Sequence, residues 1–209
     1  MGIYRPVQAG QRLFQGEVVE RLLEWAPQYD NDAAPQRIIG VRAIRHDFVI
    51  VLSQDCDLEK DWRIRQNQPL AETGLKSVIF CPALPAEELR QQQGLTSKKW
   101  EVVRQNKDER YSYLAEIPAN ADSANEGTGA LLLDMMGYFT VRTEEVYRQL
   151  RINGADTPRR RCTLETPWAE HLQLRFSIYQ CRIGLPCDHF VKESERPQLP
   201  DPAAPPPAV

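Results

Sequence analysis

A chain of 209 residues with 42% apolar and 26% charged positions can bury one core of ordinary size without disulfide or metal staples. Its formal charge of −3 argues against a general nucleic-acid binder, and no run of about 18 apolar residues is present to cross a membrane. Five cysteines (Cys56, Cys81, Cys162, Cys181 and Cys187), odd in number and irregular in spacing, behind an N-terminus with no apolar leader core, predict reduced thiols in a cytoplasmic protein.

In chain order, residues 15–19 read as a first strand, followed by a polar loop through Asp30-Asn31-Asp32 to Pro35. Residues 37–44 form a second strand and 47–52 a third, whose unbroken, β-branched apolar run predicts burial on both faces. A short helix over 58–65 follows, with Asp57 as its N-cap. Residues 77–81 are another buried strand, stopped by Pro82. A polar helix over 85–93 ends at Gly94, and 100–104 add a second helical piece. Strand signals return at 110–115 and 130–136 around a flexible loop at 120–129, and Thr143 caps a helix running to Leu150. The last helix is the clearest: Thr166 caps it, Pro167 occupies its first turn, Gly184 stops it, and Trp168, Leu172, Phe176, Tyr179 and Ile183 form one apolar stripe. Six prolines after residue 196 make 194–209 an extended tail appended to a single domain over 1–193. The expected fold is α+β and mostly antiparallel, an SH3-like barrel or a strongly bent sheet with peripheral helices and a long C-terminal helix.

Candidate chemistry centres on Ser53-Gln54-Asp55-Cys56-Asp57, where a buried strand hands over to a helix. As a nucleophile, Cys56 is poorly served by Asp55 and Asp57, because adjacent negative charge thins the thiolate population. A catalytic reading therefore needs a positive partner from elsewhere, with His171 as base and Arg175 as anion clamp. A binding reading uses Ser53, Gln54, Asp134 and Arg175. In a purely structural reading, Ser53, Asp55 or Asp57 caps the helix and Cys56 is a small buried hydrophobe.

The strand entering Ser53-Gln54-Asp55-Cys56-Asp57 resembles a widespread group of uncharacterised bacterial proteins with a Ser-Gln-x-Cys-Asp type motif. Gly16-Glu17, Tyr113-Leu114, Leu133-Asp134, the segment from His171 to Phe176 and Arg182-Ile183-Gly184-Leu185-Pro186 agree with that likeness. No activity comes with it. The glycine-acid strand and the apolar strand ending in Ser-Gln are also distantly similar to the SH3-like barrels of the PemK and MazF toxins, which are ribonucleases. Greater length, the acidic 55–57 segment and the lack of a basic groove separate this chain from them, and a shared barrel would not carry the activity across.

Cys181, Cys187 and His189 are zinc-type ligands close in sequence, though their gaps do not match the paired spacing of small zinc domains. Arg159-Arg160-Arg161 is the one concentrated basic run, read either as a solvated strand or as a phosphate grip. Trp62 with Arg63 and Arg65 reads either as a stacking surface or as ordinary helix packing. P-loop, dinucleotide-binding, zinc-protease and nucleophile-elbow signatures are all absent. The expected function is a non-catalytic binding or accessory subunit without a cofactor, acting beside other proteins of its operon, with a defence or mobile-element setting. The alternative is a small hydrolase or nuclease at Asp55/Cys56/Asp57 and His171.

Overall fold

Consecutive strand residues face opposite ways, so apolar pairs such as Val18-Val19 and runs such as Val49–Leu52 need cover on both sides of a sheet. The computed structural model, which describes residues 2–8, 10–30, 37–67, 74–152, 154 and 156–181, supplies that cover. Its strands are β1 (Tyr4–Pro6), β2 (Glu17–Asp30), β3 (Arg37–Val51), β4 (Ser77–Pro85), β5 (Tyr111–Leu114), β6 (Leu131–Asp134), β7 (Phe139–Arg142) and β8 (Arg159–Leu164). Its helices are α1 (Asp55–Asn67), α2 (Ala86–Gln92), α3 (Ser97–Arg104), α4 (Thr143–Arg151) and α5 (Trp168–Gln180). The strands form one antiparallel sheet in the order β1-β8-β2-β3-β4-β6-β5, with β7 also on β4. The fold is α+β, and the sheet is open rather than closed into a barrel.

One face carries Val18, Ile50, Leu52, Leu133 and Cys162 beneath Leu172 and Phe176 of α5. The other carries Val19, Val49, Val51, Val78 and Phe80 beneath Leu58 of α1 and Val146 and Tyr147 of α4. Residues 49–52 thus alternate between two cores, as the unbroken apolar run requires. Leu89 of α2 and Trp100 and Val103 of α3 close a third cluster over Tyr111 and Leu132. The stripe of α5 packs as expected through Leu172, Phe176 and Tyr179, while Trp168 is exposed and Ile183 lies outside the described residues.

Several boundaries differ from the sequence reading. The predicted second and third strands are one, since β3 runs unbroken from Arg37 to Val51 through His46. β4 continues through Pro82 to Pro85. Pro82 stands where β4 passes from β7, paired with Ser77–Phe80, to β6, paired with Ala83–Pro85, so a missing N–H is tolerated there. α1 begins at Asp55, and the Gln54 carbonyl, not Asp57, receives its first amides, from Asp57 and Leu58, both at 3.1 Å.

The largest difference is β2. Instead of looping after Val19 it extends to Asp30 and pairs with β3 as far as Arg37. β8 leaves β2 at Glu20 and β4 leaves β3 at Phe48. Beyond those points the two strands pair with each other and with no other strand among the described residues, and the eight residues of this ribbon from Leu23 to Asp30 span roughly 25 Å at about 3.3 Å per residue.

Candidate functional site

The corner from Ser53 to Asp57 splits into a structural half and an exposed half. Ser53 is buried, and its Oγ accepts the Ile79 amide at 2.8 Å, tying the end of β3 to β4. Gln54, Cys56 and Asp57 are exposed, so Cys56 is not the buried hydrophobe that the structural reading supposed. Its Sγ donates to Gln54 Oε1 at 3.7 Å. Asp55 turns the other way. Its carboxylate receives Arg12 Nη1 at 2.8 Å and Nη2 at 2.6 Å, with the Gln15 amide at 3.2 Å. Partial burial would raise this carboxyl, but Arg12 and the Gln15 amide outweigh it and hold it below the usual range. Gly16, at φ +75° and where a Cβ would lie only 3.0 Å from the Leu164 side chain, turns the chain into β2 directly after that amide.

A small cleft of about 200 Å³ opens beside Asp55, between Arg5, Arg12, Phe14, Glu165 and the start of α5 at Ala169 and Glu170. Both guanidiniums lie over the Phe14 ring, at 4.6 and 4.3 Å. Each already has a carboxylate: Arg12 has Asp55, and Arg5 has Glu165 at 3.5 Å.

His171 and Arg175 sit on the opposite flank of α5. They line a cleft with Tyr4, Asn106, Ser112, Tyr113 and Trp168, whose members do not include Asp55 or Cys56. The reason is helical phase: Gln173 bonds to Gln15 and Glu170 borders the Asp55 cleft, whereas positions 171 and 175 fall on the other side of the buried Leu172–Phe176 stripe. Arg175 is no anion clamp. Its guanidinium donates to the carbonyls of Asn106, Asp108 (2.7 Å) and Tyr111 (2.6 Å) and to Ser112 Oγ (3.2 Å), stitching α5 to the 106–112 loop. Burial pushes this guanidinium's pKa down. Asp134 is gripped through both oxygens by Arg110 and caps the turn at Met136 with a 3.1 Å bond. The four binding candidates therefore fall in two places, Ser53 and Gln54 at the corner before α1, and Asp134 and Arg175 against the 106–112 segment.

The arginine run of β8 is committed to carboxylates and carbonyls of the fold, with Arg161 buried and Arg159 and Arg160 half-buried. Arg161, 2% exposed, joins both Asp122 oxygens and Glu20; Arg160 joins Glu17 and the carbonyls of Gln11 and Arg12; Arg159 joins Glu20 and Glu126. Glu17, Glu20 and Asp122 are themselves buried, and the run is what neutralises them. Trp62 leans on Tyr147 with ring centres 5.9 Å apart, so it serves packing between α1 and α4. Cys181 is exposed, while Cys187, His189 and the proline-rich tail lie outside the described residues. No group of three metal-type ligands occurs among the described residues.

Sequence reasoning missed the β2–β3 ribbon. Cross-strand partners share a face, so Trp25, Pro27 and Tyr29 lie with Ala43, Val41 and Ile38, and Glu24, Gln28 and Asp30 lie with Ile44, Gly40 and Arg37. The first face is apolar and open: Trp25 is 49%, Ile38 60% and Val41 63% exposed. α4 holds the ribbon at its root, where Gln149 pairs with both backbone groups of Leu23 at 3.0 Å and Glu145 accepts Trp25 Nε1 at 3.1 Å. The signal was present in the period-two pattern of Leu23, Trp25, Pro27 and Tyr29, masked by the polar residues from Asp30 to Pro35 that read as a loop. No helix among the described residues is long and apolar enough to cross a membrane. Neither family models, nor curated proteins, nor solved structures provide a match to this chain.

Proposed function

We propose that the chain is a non-catalytic binding subunit of a cytoplasmic bacterial multi-protein system, docking through the β2–β3 ribbon onto another protein of its operon. The observation that carries this reading is the open apolar face of Trp25, Pro27, Tyr29, Ile38 and Val41 on a ribbon whose edges pair with no other strand among the described residues. Such a face and such edges are what strand addition uses: main-chain bonds give affinity and alternate side chains give specificity. Charge selects the partner. β3 carries Arg37, Arg42 and Arg45 along its exposed length, Arg37 opposite Asp30 and Arg45 3.6 Å from Asp156. Antiparallel pairing of that edge with its own copy would set arginines near arginines, so the occupant is a strand of a different protein with an acidic edge. The unpaired state of Cys56, Cys81, Cys162 and Cys181 supports a reducing compartment. A defence or mobile-element setting rests on the likeness to the Ser-Gln-x-Cys-Asp group alone.

The hydrolase or nuclease alternative gains no support. Asp55 is taken by Arg12, Arg175 by backbone carbonyls, and His171 lines a different cleft.

Photo-crosslinking from position 41 in the host, followed by reconstitution with the captured protein, tests the proposal. A one-to-one complex is expected that Ile38→Asp with Val41→Asp abolishes while the monomer stays folded. Crosslinks only to a second copy or to nucleic acid, or a complex indifferent to both substitutions, overturn it.

A further inference from the structure

The two edges of the ribbon are not equivalent, and the reason begins at its root. β2 turns over at Arg21, which stands at φ +61°. Leu22 therefore joins the same cluster as Val19, three positions before it, where an unbroken strand would send the two to opposite faces. β3 turns over alongside: His46 stacks on Phe139, against the cluster of Val49 and Val51, while Phe48 packs against the other core. The ladder accordingly lacks a pair between Arg21 and Asp47 and resumes with Leu22 opposite His46.

One contact then fixes the orientation of the main chain beyond that point. In an antiparallel ladder, a residue directs both its N–H and its C=O either at the neighbouring strand or away from it, alternately along the chain. Leu23 gives both groups to the Gln149 side chain, at 3.0 Å each, so they point away from β3. Trp25 and Pro27 share that phase, and so do their partners Ala43 and Val41, with Arg45 opposite Leu23. The outer edge of β2 is thereby blunted: Leu23 is taken, and Pro27 has no N–H to offer. The outer edge of β3 is complete. Val41, Ala43 and Arg45 turn three N–H and three C=O groups outward at a spacing of roughly 6.6 Å, and among the described residues no strand pairs there before β4 joins at Phe48.

The side chains along this edge differ by face. Val41 and Ala43 share the apolar face of Trp25 and Pro27. Arg42 is exposed on the opposite face with Ile44, and among the described residues it has no carboxylate partner. Resting on the docking reading above, we propose that β3 alone receives the partner protein, as a strand added across Val41, Ala43 and Arg45. That strand alternates apolar residues on the Trp25 face with a carboxylate set against Arg42. Main-chain bonds hold it, and the two faces fix its register, because a slip of one residue would move the carboxylate onto the apolar face. A second copy of β3 does not meet this requirement, since residues 37–46 contain no Asp or Glu.

Amide hydrogen exchange of the full, isotope-labelled chain tests the proposal, with a short synthetic peptide alternating valine and glutamate as the probe and its valine–lysine counterpart as the control. In the free chain the amides of Arg42 and Ile44, which face β2, should exchange about tenfold more slowly than those of Ala43 and Arg45. The glutamate peptide should slow Ala43 and Arg45 about tenfold, and the lysine peptide should leave them unchanged. Ala43→Pro removes a donor that β2 does not use, so the chain should stay folded while peptide binding weakens about tenfold. Protection at Trp25 instead, equal binding of both peptides, no protection at either edge with millimolar peptide, or binding indifferent to Ala43→Pro overturns the proposal. Protection of Ala43 and Arg45 that rises with chain concentration alone identifies a second copy and also overturns it. Crosslinking from position 41 reads the docking face whichever edge is used. A captured complex that Ile38→Asp with Val41→Asp abolishes but Ala43→Pro leaves intact therefore defeats this inference and spares the docking reading.

Discussion

Asp55 is held by both terminal nitrogens of Arg12, at 2.8 and 2.6 Å, and this pair joins the start of α1 to the chain entering β2. Arg12 is the more enclosed partner, lying on Phe14, while nearly half of the Asp55 side chain is exposed. A bidentate but partly solvated pair of this kind contributes about 0.5–1 kcal/mol. A double-mutant cycle of Arg12→Ala and Asp55→Asn, read by urea unfolding, should return a coupling of that size. Because the Asp55 carboxyl is lowered in the fold, its contribution is complete above the unfolded value of about 4 and fades as pH falls below it.

Arg161 should be far less replaceable. Its removal leaves Asp122 buried without its cation, while Glu20 keeps Arg159, so Arg161→Met is expected to cost about 3–5 kcal/mol. Arg151→Met, at an exposed position on α4, should change stability by less than about 0.5 kcal/mol. Chemical denaturation of the two variants distinguishes them directly.

The root of the ribbon is acid-sensitive. Arg148 first, then Gln149 and Trp25, hold the Glu145 carboxyl at about 2 against the opposing effect of partial burial. A carboxyl lowered in the fold stabilises it above the unfolded value of about 4.3, and that contribution is lost progressively as pH falls toward 2. Glu145→Gln should lower stability at pH 7 by about 0.5–1 kcal/mol and flatten the acid limb of the stability profile. Trp25 emission should shift in the wild-type chain over that window and less in the variant.

Thiol labelling separates the cysteines by environment. Cys56 and Cys181 are exposed, whereas Cys81 and Cys162 are enclosed in the core and burial raises both thiols well above the free value. A disulfide reagent at pH 8 should modify Cys56 and Cys181 within minutes in the folded protein. Cys81 and Cys162 should react only at the rate of unfolding, as peptide mapping would show.

What was legible in the residues was local. The apolar run 49–52, the stripe of α5 and the Gly94 stop specify their elements because burial on a sheet or helix face imposes a period that one chain segment can display alone. Pro82 misled for a related reason: a proline forbids a strand only where its missing N–H is needed, and that depends on which neighbour runs alongside.

The sequence by itself determined the α+β class, the two-sided sheet and the packing of the last helix, all consequences of hydrophobic period. Tertiary structure alone decided the rest, because charges and cysteines acquire their roles from partners far away in the chain. Arg159, Arg160 and Arg161 became a buried counter-charge once β8 lay against Glu17 and Glu20 of β2. His171 was parted from Cys56 by the rotation of a single helix about its buried stripe, and a segment read as a loop became a ribbon because β3 was long enough to pair with it.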